Sequence, residues 1–145
     1  MTLLALNFAL LFLSVAFAIR CGGPVERGGA AVLLAMAAIS YAGGYLFGSR
    51  FASIDRIALI DDLAGLVGFS ILGIYRTKFW PLWAAALQLL AVGAHFVRGL
   101  AVPDRPIVYA WMKSGPTWGV YLLLIVGTIL ECRRLRSKRP ISSIG

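Results

Sequence analysis

A chain of 145 residues that is 60% hydrophobic and 14% charged, with mean hydropathy +0.86, departs from the soluble norm of about 45–50% apolar and 25% charged. A single compact domain of this length cannot hide that much apolar surface from water, so lipid must cover it and a soluble globular fold is excluded. The net charge of +8 with pI near 10.2 would suggest nucleic acid in a soluble protein, but here the placement of the charges excludes that partner: five of the 14 basic residues, Arg133, Arg134, Arg136, Lys138 and Arg139, directly follow the last apolar run, and the rest stand singly at the edges of apolar runs, as topology signals do.

The sequence predicts an all-α polytopic transmembrane helical bundle of about five spans joined by short loops. The first span covers residues 2–19. Its end, Ala16-Phe17-Ala18, has the form of a signal-peptidase site, but no Lys or Arg precedes the apolar run, and cleavage would turn the basic tail outward; an uncleaved helix is the expectation. Gly22-Gly23-Pro24 breaks the chain before the second span, 28–47, and Gly48-Ser49-Arg50 ends it. The third span, 57–75, carries Asp61 and Asp62 near its start, which puts the pair at or just below the membrane surface. After Thr77-Lys78 comes the fourth span, 79–100, and after Pro103-Asp104-Arg105-Pro106 the fifth, 107–130. Lys113, Gly115 and Pro116 interrupt the fifth, so either its helix starts near Ile107 and takes Lys113 inside, or Tyr109 and Trp111 lie in the interface before a short tilted span. The bundle thus occupies 1–132, and 133–145 form a basic cytoplasmic tail whose Arg133, Arg134, Arg136, Lys138 and Arg139 are suited to anionic lipid.

Orientation follows from the basic residues of each loop. With the tail inside, Arg20, Arg27, Arg76, Lys78 and the five of the tail make nine cytoplasmic charges, against five outside at Arg50, Arg56, Arg98, Arg105 and Lys113. The N-terminus then faces out and the C-terminus in. Cys21 and Cys132 fall on the same cytoplasmic side, where thiols stay reduced, and the only histidine, His95, lies toward the other face; no metal site and no cofactor motif is expected.

Polar residues inside apolar runs are costly in hydrocarbon unless they find a partner or water. Gln88, His95 and Arg98 form one stripe on the fourth helix, Lys113, Thr117, Tyr121 and Thr128 one on the fifth, and Asn7 and Ser14 one on the first. These faces should turn inward. The topology gathers Asn7, Ser40, Tyr41, Asp61, Asp62, His95, Arg98 and Lys113 into the outer half of the bilayer, as a possible polar cluster or binding site. The plainer reading is that such residues hold helices together or snorkel at helix ends. A nucleophile set of Ser40, His95 and an aspartate can be drawn, but nothing in the spacing requires it, and no catalytic residue is assigned. Gly44-x-x-x-Gly48, with Ala64, Gly65, Gly68 and Gly73 along the third helix, allows close helix packing. Trp80, Trp83, Trp111 and Trp118 fit interfacial belts.

Trp80-Pro81-Leu82-Trp83-Ala84-Ala85-Ala86-Leu87-Gln88-Leu89-Leu90, followed by His95, and Gly22-Gly23-Pro24-Val25-Glu26-Arg27, give the chain a pattern that resembles a group of short uncharacterised membrane proteins from alphaproteobacteria. The resemblance implies a multi-pass bundle in a bacterial inner membrane and carries over no catalytic residue. The five-helix tryptophan-rich sensory proteins are similar in length, but their Pro- and Trp-dense signature is missing. Two functions are expected: foremost an accessory or assembly component packed against another membrane protein, and as an alternative a small binding or transport unit with an outward-facing polar pocket. A membrane enzyme is the third. Oligomeric state is not legible from the chain.

Overall fold

The computed structural model describes the backbone of residues 2–47, 51–99 and 106–137, and the side chains of 5–46, 56–96 and 115–137. The protein is an all-α bundle of five helices, α1 (Thr2–Cys21), α2 (Pro24–Phe47), α3 (Phe51–Arg76), α4 (Phe79–Gly99) and α5 (Pro106–Ser137). Among the described residues, four of them contain stretches long and apolar enough to cross a membrane: Pro24–Leu46, Arg56–Arg76, Phe79–Phe96 and Gly115–Ser137. The described apolar part of α1, Ala5–Cys21, is shorter. The exterior carries large apolar side chains such as Leu13, Ile74, Phe79, Trp83, Leu90 and Phe96 in exposed positions, whereas Ser14, Gln88 and Thr128 are fully buried. Polar side chains turned inward beneath an apolar surface suit a chain whose solvent is lipid.

The two-residue connections have local causes. Gly22 donates its N–H to the Ala18 carbonyl at 2.9 Å and finishes α1. Gly23 then serves as the N-cap of α2, with Pro24 at the first helical position, where the missing N–H costs nothing. Glu26, three residues after the cap, accepts the Gly23 N–H at Oε2 (3.0 Å), the carboxylate half of a capping box. At the other short turn Thr77 takes φ 51°, an unusual conformation for a β-branched residue. Its hydroxyl donates to the Arg76 carbonyl at 2.8 Å. That turn delivers Lys78 to the start of α2 and the end of α5, where it meets Glu26 and Glu131.

Each helix packs against its neighbours in chain order, and α1 meets α5, so the ring closes between the first and last helices; α2 also touches α5 across the middle. The core contains Leu11, Val15, Ala30, Leu33, Phe69, Ala84, Val120 and Leu124. Trp80 packs edge-on against Phe69, with ring centroids 6.2 Å apart. It also fills a slot between α2 and α5 at two positions without side chains: a Cβ on Gly29 would lie 2.4 Å from the indole Cη2, and one on Gly127 would lie 2.9 Å from Cδ1. Trp80 therefore belongs to the interior rather than to an interfacial belt, and Trp118 is likewise packed against the core. Trp83 is exposed, and the side chain of Trp111 lies outside the described residues.

Several predicted boundaries move. The third helix begins at Phe51 rather than 57, which puts Asp61 and Asp62 about 15 Å along it at 1.5 Å per residue; its apolar stretch, Arg56–Arg76, matches the predicted span and keeps the pair near the start of that stretch. The fifth helix starts at Pro106 and runs through Pro116, the first of the two alternatives, because a proline removes a single backbone bond while a long apolar helix keeps the others; its end moves from 130 to Ser137. Arg133, Arg134 and Arg136 accordingly stand on its last turns instead of in a separate tail; Lys138 and Arg139 lie outside the described residues. Along α3, Gly65 faces Met36 and Gln88, and Gly68 faces Val32, which is the close packing expected of its small residues. Gly44 has no such neighbour, and Gly48 lies outside the described residues.

Candidate binding pocket

The antiparallel arrangement sorts the buried polar groups onto two levels. At the end where α2 and α4 start and α1, α3 and α5 finish, Lys78 Nζ bonds Glu26 Oε1 at 2.8 Å and Glu131 Oε2 at 2.9 Å. Trp80 Nε1 donates to the same Glu26 oxygen at 3.2 Å. Glu26 is fully buried, and the Lys78 side chain retains 23% exposure. Gly23 lies against both carboxylates: a Cβ there would sit 3.1 Å from Glu26 Oε2 and 3.2 Å from Glu131 Oε1. Burial alone would lower the pKa of Lys78, but its hydrogen bonds to Glu26 and Glu131 outweigh that and raise it above the ordinary lysine value. The exposed charges around this end are arginines: Arg20, Arg27, Arg76, Arg133, Arg134 and Arg136.

At the opposite end a cavity of about 560 Å³ opens between α1, α2, α3 and α5. Its polar lining is Asn7, Ser40, Asp61, Asp62, Thr117 and Tyr121, and its apolar wall includes Phe8, Leu11, Leu33, Met36 and Trp118. Ser40 Oγ donates to Asp61 Oδ2 at 2.8 Å. The other oxygen, Asp61 Oδ1, is buried and has no hydrogen-bond partner among the described residues. Asn7 and Tyr121 are hydrogen-bonded to each other. Asp62 Oδ2 lies 3.1 Å from His95 Nε2, which brings α4 up behind the cavity. Deeper in the bundle Gln88 approaches the Met36 sulfur through Nε2 at 3.7 Å, and its buried Oε1 has no partner among the described residues.

Of the residues singled out from sequence, Asn7, Asp61 and Asp62 therefore meet at one cavity, His95 contacts it through Asp62, and Gln88 lies below it against a wall residue. Tyr41, also at the wall, is largely exposed. The side chains of Arg98 and Lys113 lie outside the described residues. Ser40 is bonded to one aspartate and His95 to the other; this is not the serine–imidazole contact on which a nucleophile set depends. Among the described residues no three His, Cys, Asp or Glu side chains are grouped to hold a metal ion, and both cysteines are free thiols.

Sequence reasoning missed the Glu26–Lys78–Glu131 network: Lys78 is read there only as a topology charge, and neither glutamate is given a role. One signal was available: Gly23-Pro24-Val25-Glu26 has capping-box spacing, and topology brings Glu26, Lys78 and Glu131 to one side. Searches of protein-family models, curated proteins and solved structures return no match to this chain.

Proposed function

We propose that this protein is a small membrane-embedded binding unit that holds a low-molecular-weight ligand in the cavity between α1, α2, α3 and α5. The observation that carries this reading is the cavity itself: about 560 Å³, within the roughly 300–1,000 Å³ of small-molecule sites, with an apolar wall and a few convergent polar groups, two of them carboxylates in the apolar stretch of α3. A carboxylate at that depth is costly unless it has work there. The membrane is a bacterial inner membrane, with the N-terminus out and the C-terminus in, and the pocket opens toward the outer face. The arginine rim at the opposite end supports this orientation, and Arg133, Arg134 and Arg136 contact anionic lipid of the inner leaflet.

The test is native mass spectrometry of the protein released from nanodiscs, compared with Ala37→Phe, which places a ring in the cavity wall. A bound small molecule or lipid present in the parent and absent from the variant supports the reading; identical spectra without any adduct reject it. A second reading, an accessory subunit of a larger membrane complex, draws on the connections of only two residues at Gly22–Gly23 and Thr77–Lys78, which leave little chain outside the bundle at that end. Stoichiometric co-purification of another membrane protein, with the pocket empty, would favour it.

A further inference from the structure

The chemistry of the pocket narrows its ligand, an inference that rests on the binding role just proposed. The formal charges on its described lining residues are both negative, Asp61 and Asp62. Asp62 is engaged by His95 from α4. Asp61 has only the Ser40 hydroxyl on one oxygen, and its second oxygen lacks a hydrogen-bond partner among the described residues. Asn7 and Tyr121 are hydrogen-bonded to each other and present neutral dipoles. An anion placed here would meet two carboxylates. A bare metal ion would be far smaller than the space and would find no cluster of ligating side chains among the described residues.

The rest of the wall suits an apolar body. Phe8, Leu11, Met36 and Trp118 come from three helices, and an aromatic face attracts a cation within about 6 Å of its centre. The thioether of Met36 is soft and adaptable. We propose that the ligand is a small organic cation with an apolar body, its charge set against the Asp61 carboxylate and its body against Phe8, Met36 and Trp118.

Two probes of the same shape and opposite charge, tetraphenylphosphonium and tetraphenylborate, test this by equilibrium dialysis against protein-loaded nanodiscs, with empty nanodiscs as the blank. Tetraphenylphosphonium is retained saturably and tetraphenylborate is not. Asp61→Asn weakens retention at least about tenfold, the factor that corresponds to 1.4 kcal/mol, Asp61→Glu restores most of it, and Ala37→Phe blocks it. If Asp61→Asn does not give a monodisperse protein, the contrast between the two probes on the parent decides alone. Equal retention of both probes, blocked by Ala37→Phe, overturns the cation inference and leaves the pocket standing. Retention of the cation that Asp61→Asn does not change also overturns it. Retention that Ala37→Phe does not reduce removes the pocket reading as well, and no retention of either probe overturns the cation assignment, while the mass spectra still judge the pocket.

Discussion

At the arginine-rimmed end of the bundle the Glu26 carboxylate is fully buried and meets three donors, the Gly23 N–H, the Lys78 ammonium and the Trp80 indole N–H. At the other end Asp61 meets one hydroxyl and stands beside an open cavity. Both are acids inside an apolar protein, yet their surroundings ask different things of them. A carboxylate that is neutralised and enclosed holds elements together, because α2, the α3–α4 turn and α5 all supply a member of its network. One that lines a cavity, with a single hydroxyl on one oxygen and no hydrogen-bond partner for the other among the described residues, is equipped to receive something from outside. The comparison separates scaffold from site without any relative to consult.

The sharpest way to break that comparison is to remove the central cation. Lys78→Met leaves a fully buried glutamate without its countercharge, and losing one partner of a buried pair costs about 3–5 kcal/mol. The 23% exposure of Lys78 places the expected loss at the lower end of that range. Thermal unfolding in detergent should show the largest drop of any single change considered, and Glu26→Gln combined with Lys78→Met should lose less than the sum of the two alone. Ligand retention by whatever protein remains folded should be unchanged. If Lys78→Met melted like the parent, the network would not be holding the bundle together.

A smaller loss should follow from Gly29→Ala. The added Cβ would meet the rim of the Trp80 indole at 2.4 Å, and the ring cannot retreat because Gly127 and Phe69 bound its other sides. Overpacking of this kind costs about 1–3 kcal/mol. A Gly29→Ala protein as stable as the parent would show that the slot is looser than its geometry.

Five apolar runs, their order and the inward turn of Ser14, Gln88, Tyr121 and Thr128 were legible because hydrocarbon demands long apolar stretches and penalises any polar atom left facing it. So was the meeting of Asn7, Asp61, Asp62 and His95 near one end, since alternating helix directions sort residues by depth. What was hidden depends on side-chain reach between residues distant in sequence. Lys78 looks like any loop lysine until the φ of Thr77 points the chain under Glu26 and Glu131. Trp80 looks like a belt residue until Gly29 and Gly127 are seen to vacate its slot. The cavity is a space between helices, and spaces leave no residue pattern.

Gln88 sharpens the comparison from a third position, fully buried but neutral. Its Oε1 is unpartnered among the described residues, and Nε2 reaches only the weak sulfur acceptor of Met36. A buried unsatisfied polar atom costs about 1–3 kcal/mol, so Gln88→Met, which nearly conserves volume, should raise the melting temperature by the equivalent of about 1 kcal/mol while leaving ligand retention unaltered. A fall in stability would mean that the amide has a partner, and a fall in retention would enlarge the site to include it.

The smallest effect concerns pH and tests the enclosed network without changing a residue. Because the folded state raises the pKa of Lys78 above its unfolded value, the stability this group contributes is fully present below the unfolded lysine pKa of about 10.4 and is lost as pH rises through the higher folded value. Unfolding measured from pH 7 to 9 should therefore show no slope from Lys78, and a decline should begin only in the alkaline range beyond it. Lys78→Met should lack that alkaline decline. A decline of the same size in both proteins would assign it to other groups and leave Lys78 without the pairing energy inferred from its two carboxylates.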